Sequence, residues 1–208
     1  MINGLLLLFS PAATWDRIAR AQRSFLYIIF AYLLPVMILA SVAEGYGLVH
    51  WGKWQGEVPH IKKWPPAEAA IFELGQAIVM LFIILFNSGL VKSVGETFHT
   101  RHNLRQSFTV LAYGLCPFFL AHVLDAFTDI APWVSWLVGI LLTMAVVYHG
   151  VPRVMEPDPA HAFGLYMSTS LLLLLSTGLL ELVVAFFLAG KLDKLDRFIS
   201  SAAGRLPF

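Results

Sequence analysis

The sequence predicts an all-α integral membrane bundle of five transmembrane helices, preceded by an interfacial amphipathic helix. Three observations predict it. Of 208 residues, 58% are hydrophobic and only 13% are charged, against roughly 25% charged in ordinary soluble domains. The mean hydropathy is +0.74. Five stretches each reach the length of about 20 mostly apolar residues that a spanning helix needs.

The elements follow in chain order. The opening run to Ser10 holds four consecutive leucines. It lacks the basic leader and longer apolar run of a signal peptide, so it is expected to be retained. Ser10-Pro11 reads as an N-cap followed by proline at the first helical position. Trp15, Ile18 and Ala19 then share one face, with Asp16, Arg17, Arg20 and Arg23 largely around the other. That pattern describes a helix lying in the interface with arginines towards anionic headgroups. The predicted spans are Ser24–Ala43, Glu68–Val91, Phe108–Phe127, Pro132–Val151 and Ala162–Ala189. Trp51, Trp54 and Trp64 fall between the first two, where amphipathic rings favour the lipid–water boundary. After the last span, Leu192, Leu195, Phe198 and Ile199 form a stripe flanked by Lys191, Lys194 and Arg197. This tail reads either as a second interfacial helix or as a solvated one. The chain therefore divides into an amphipathic segment 1–23, a five-span domain 24–189 and an amphipathic tail 190–208.

Net charge is +1, and no basic stripe marks a nucleic-acid surface. Cys116 is the only cysteine, which rules out an internal disulfide and a cysteine-based zinc site. With the N-terminus inside, basic residues divide seven inside and seven outside. Short loops decide topology, and they favour a cytoplasmic N-terminus: Lys92, Arg101 and Arg105 follow the second span, whereas the loop after the third carries only Asp125 and Asp129.

Three segments carry a family resemblance. They are Phe9-Ser10-Pro11 with Trp15 and Ile18; the run from Phe108 through Ala112-Tyr113-Gly114 to Pro117; and Tyr148-His149-Gly150-Val151-Pro152-Arg153-Val154-Met155 with Pro159-Ala160-His161-Ala162. Together they resemble the Yip family of membrane proteins, named for interaction with Ypt/Rab GTPases, and its bacterial branch in particular. The resemblance implies five spans, a cytoplasmic N-terminus and, in eukaryotic members, a role in trafficking and membrane shaping. This chain lacks their long polar N-terminal region. The resemblance brings no catalytic residues and places the chain in a bacterial inner membrane.

Ionisable residues in spans are costly and usually face the bundle interior or water. Here they are Glu73, His122, Asp125 and Glu181, with Glu44 at a span end. Antiparallel spans place all five in the membrane half opposite the N-terminus. Glu73 and Gln76, and His122 and Asp125, share helix faces at a spacing of three. Two readings stand. The groups converge on a pocket for a cation or proton, or they are polar contacts that hold the bundle together. Glu96, His99 and His102 are spaced by threes, which is not the zincin pattern; with Lys92, Arg101 and Arg105 they read as a headgroup-facing loop. Asn87 is expected to bond to another helix. Pro35 and Pro117 are expected to kink their spans. No hydrolase, phosphate-loop or dinucleotide motif occurs, and the serines at 168, 170 and 176 read as helix-packing residues.

The functional expectation is a non-enzymatic scaffold or bilayer-organising factor. Membrane lipids are its partners, a protein partner or second copy stays open, and the sequence points to no cofactor and leaves a metal undecided. The alternatives are a transporter or channel for a cation or small solute, and an intramembrane enzyme using His122 and Asp125.

Overall fold

The computed structural model describes residues 2–56, 60–97 and 102–204. Arg101, His99 and Arg205 lie outside the described residues. Five helices are long and apolar enough to cross a membrane: Phe25–His50, Pro66–Thr97, Leu104–Ala126, Pro132–Met155 and Ala162–Leu188. Two short helices precede them, α1 (Ile2–Phe9) and α2 (Pro11–Ala21). A helix over Asp193–Ala203 follows.

The third span is the axis of the bundle. Of its most apolar stretch 83% is buried, against no more than 44% in any other span. Every residue from Ser107 to Phe119 is buried. The other spans turn apolar side chains such as Leu74, Phe82, Leu141 and Leu179 outward, as a bilayer demands of a lipid-facing surface. Glycine permits the closest approaches. A Cβ on Gly47 of the first span would overlap the Ala126 backbone, and one on Gly139 of the fourth would come 3.0 Å from Phe118 Cα.

Proline stands beside an irregular helical turn in three spans. Pro35 follows a π-helical turn at Ile29–Leu33. Such a wide turn accommodates the missing N–H and the ring's bulk. The third span breaks at Leu115, where Cys116-Pro117 starts a new helical segment. The fourth ends in a π-helical turn over Val151–Met155 that contains Pro152.

Both amphipathic segments use their apolar faces against the protein. Ser10 stands at the N-cap of α2 with proline next, but its side chain makes no capping bond. Trp15 is fully buried. Its Nε1 donates to the Val146 carbonyl at 2.9 Å, and a Cβ on Gly150 would come 2.7 Å from its ring. Asp16 pairs with Arg153 at 3.2 Å. α1 is sunk deeper, with Leu7 fully buried and Gly4 against Tyr32 and Cys116. Cys116 is twelve residues into the third span, roughly 18 Å along it at the helical rise.

At the opposite end, the first span runs on to His50, seven residues past the boundary expected from hydropathy. Glu44 is therefore inside the helix, and buried. The long loop is a β-hairpin, β1 (Lys53–Gln55) with β2 (His60–Lys62), pairing Trp54 with Ile61. Trp51 and Trp54 are exposed as expected, whereas Trp64 is buried beside Phe187. Lys53 is buried too; its Nζ donates to the carbonyls of Phe127 at 2.6 Å and Ile130 at 2.8 Å. That caps the chain as it leaves the third span. Burial lowers the Lys53 pKa, and the carboxylates of Asp125, Glu44, Glu181 and Asp129 oppose the shift. The C-terminal helix buries Ile199 and ties Asp196 to Lys62 at 3.1 Å; Phe198 stays exposed.

Replacing Trp15 with alanine removes a fully buried ring and its hydrogen bond. Trp15→Ala is expected to cost about 3 kcal/mol in denaturant unfolding in mild detergent, while the exposed Arg17→Ala stays within about 0.5 kcal/mol. Lys53→Met removes the two hydrogen bonds that the buried ammonium makes to the Phe127 and Ile130 carbonyls and is expected to cost about 2 kcal/mol in the same assay.

Candidate functional site

Six polar side chains from four spans line one small cavity in the membrane half opposite α2, with Ser41 and Thr177 adding hydroxyls to four larger groups. Glu44 comes from the first span, Gln76 from the second, His122 from the third and Glu181 from the fifth. The cavity measures about 30 Å³, and Met37, Met80, Phe118 and Phe119 also line it. A space of that size holds about one water-sized guest.

Its hydrogen bonds fix most of the orientations. Gln76 Nε2 donates to Glu44 Oε2 at 3.2 Å, which assigns the amide and leaves Gln76 Oε1 without a partner. His122 Nδ1 lies 2.9 Å from the Phe118 carbonyl. A carbonyl only accepts, so Nδ1 carries a proton. His122 Nε2 faces Glu181 Oε2 at 3.7 Å. At that separation the contact is electrostatic rather than a direct hydrogen bond. Glu181 Oε1 makes no hydrogen bond. Together with Gln76 Oε1 it offers acceptors for a donor or cation in the cavity.

Asp125 sits beside this group rather than on the cavity. It is 2% exposed, and Ser135 Oγ of the fourth span donates to its Oδ1 at 2.7 Å. Glu73 is set apart. It lines a larger groove of about 710 Å³ between the first and second spans, among Leu34, Ile38, Leu74 and Ile78. It packs on Gly45, where a Cβ would come 3.3 Å from Glu73 Cγ. Among the described residues no three His, Cys, Asp or Glu side chains are placed to hold a metal ion.

Sequence reasoning identified the acidic groups and their common depth. It missed Ser135 and Lys53 as partners, because neither a serine in a span nor a lysine in a loop signals its contact at a distance. Asn87 does bond to another helix: its Nδ2 donates to Ser176 Oγ at 2.7 Å. Ser176 in turn donates to the Leu172 carbonyl at 2.7 Å. In the Glu96 to His102 segment, Glu96 pairs with Lys92 at 3.6 Å. His102 is buried against Gly95, and burial lowers its pKa.

A double-mutant cycle measures the His122–Glu181 pair. Either Glu181→Gln or His122→Gln alone is expected to cost about 3 kcal/mol in unfolding, because each strands a buried partner. The double variant is expected to cost at least about 1 kcal/mol less than their sum. Simple additivity would show that the pair does not interact.

The three segments that carry the family resemblance meet in the other half of the bundle. Trp15 rests on Gly150, and Gly114 of the third span admits Val147 of the fourth, where a Cβ would come 2.6 Å from its methyl. The Yip1 domain family matches residues 5–180. Searches among curated proteins and among solved structures each find no match. The match takes in α2, all of the first four spans and most of the fifth, so this five-span integral membrane protein belongs to the Yip1 domain family.

Proposed function

We propose that the chain is a non-enzymatic scaffold that organises the bilayer around it, seated in a bacterial inner membrane with its N-terminus in the cytoplasm. The observation that carries this reading is the attachment of amphipathic helices at both ends of the bundle. At one end Trp15 and Asp16 lock α2 to the fourth span. At the other, Ile199 and Asp196 lock the C-terminal helix to the spans and the hairpin. A free amphipathic helix exchanges between water and lipid. One fastened to a bundle by its apolar face keeps its depth and direction, and presents its polar face to headgroups at a fixed place. The short-loop charges support the orientation.

A second reading has its own observation. The unpartnered Gln76 Oε1 and Glu181 Oε1 face a cavity of about 30 Å³, a fitting seat for one proton-bearing guest or small cation. Under this reading the cluster of Glu44, His122, Asp125 and Glu181 passes a proton or cation.

Proteoliposomes separate the two. The scaffold reading expects the wild type to shift vesicle diameter or lipid order, and Trp15→Ala to lose most of that effect at equal protein density. It also expects proton and sodium flux no greater than in protein-free vesicles. Flux above that background that disappears in Glu181→Gln would overturn the scaffold in favour of transport.

A further inference from the structure

At the membrane end that carries α2, the end of α2, the start of the third span and the end of the fourth enclose a crevice of about 220 Å³. Arg23, Arg105 and Arg153 line it together with Asn103, Gln106 and Glu156. Arg153 is neutralised by Asp16 at 3.2 Å. The other two guanidiniums are not. Arg23 lies over the Tyr27 ring, 4.8 Å from its centroid. Arg105 reaches only the Gln22 carbonyl, at 3.5 Å. Among the described residues neither forms an ion pair with a carboxylate. With Glu156 counted, the crevice keeps net positive charge.

The backbone adds to this field. The third span begins at Leu104, capped by Asn103 and Gln106, so the positive end of its dipole lies at the crevice. Gln106 is held in place by a bond from its Nε2 to the Val154 carbonyl at 2.9 Å. Arg23 immediately precedes the Ser24 cap of the first span, and Arg105 is in the first turn of the third. Both side chains therefore sit at the ends of spans, where lipid headgroups meet a membrane protein.

We propose that this crevice binds a phosphate group, held by the guanidiniums of Arg23 and Arg105. The planar fork of arginine matches two oxygens of one phosphate. Two sources offer that chemistry, the headgroup of an anionic phospholipid and free phosphate from the aqueous side. The site stands independently of the scaffold reading, since a transporter of the same fold would also hold it.

The test measures binding to the full chain in mild detergent by the shift in melting temperature. The probes are short-chain phosphatidic acid, phosphatidylcholine of the same chain length, and inorganic phosphate. Phosphatidic acid is expected to bind the wild type and to bind Arg105→Gln about tenfold more weakly, the loss of one charge-assisted contact. Lys92→Gln, which removes a cation at the same membrane face but outside the crevice, is expected to bind as the wild type does. Arg23→Gln alters an exposed side chain and serves as the second variant if Arg105→Gln folds poorly. A shift with the lipid alone assigns the headgroup as ligand; an equal shift with inorganic phosphate assigns free phosphate and upholds the site. Equal affinity in the wild type and both arginine variants, an equal loss in Lys92→Gln, or an equal shift with phosphatidylcholine would overturn the proposal.

Discussion

The third span meets almost no lipid, and the rest of the architecture follows from that enclosure. A helix surrounded by protein on all sides can carry groups that a lipid-facing helix cannot. It needs neighbours close enough to cover it, which is why glycines face it from the first and fourth spans at Gly47 and Gly139. It also needs cover at its first half, where four other spans leave a gap. The short helices α1 and α2 fill that gap, with Leu7 and Trp15 fully buried. The N-terminal helices are therefore parts of the bundle as well as elements at its surface.

The same enclosure explains the polar cluster. His122 and Asp125 lie where the central span ends, shielded from lipid but also from water. Each is matched by a partner on another span, Glu181 for the histidine and Ser135 for the aspartate. Lys53 closes that end from the hairpin by satisfying the Phe127 and Ile130 carbonyls. Three carboxylates share the region with one imidazole and one ammonium, so their charge is balanced by shared protons or by an added cation. A cavity of about 30 Å³ leaves room for the second option only on the scale of a single small guest. As it stands the cluster joins the spans to one another.

The number and order of the spans were legible because apolar length is a direct demand of the membrane. Where protein replaces lipid, that demand relaxes and the sequence becomes harder to read. Glu44 looked like the end of a span because carboxylates rarely enter lipid, yet the first span continues to His50, with Glu44 turned inward to Gln76. Trp64 looked like an interfacial anchor beside Trp51 and Trp54, but the hairpin and the fifth span cover it. The stripe through Trp15 and Ile18 was visible, while its destination on the fourth span was not: hydrophobic periodicity shows a buried face but does not say whether lipid or protein buries it. The common depth of the ionisable groups could be counted from antiparallel spans. Their division between an inner cavity and the outer groove of Glu73 depended on helix rotation, which sequence spacing alone does not supply.

The proposed scaffold role requires that no aqueous path reach the polar cluster. Solvent access at Met80, a buried residue on the cluster cavity, tests it most directly. A Met80→Cys variant in a Cys116→Ser background is treated in proteoliposomes with a membrane-impermeant thiol reagent, beside Asp129→Cys in the exposed loop as a positive control. The account predicts that Asp129→Cys is modified and Met80→Cys is not. Modification of both at comparable rates would show water reaching the cluster and would contradict it.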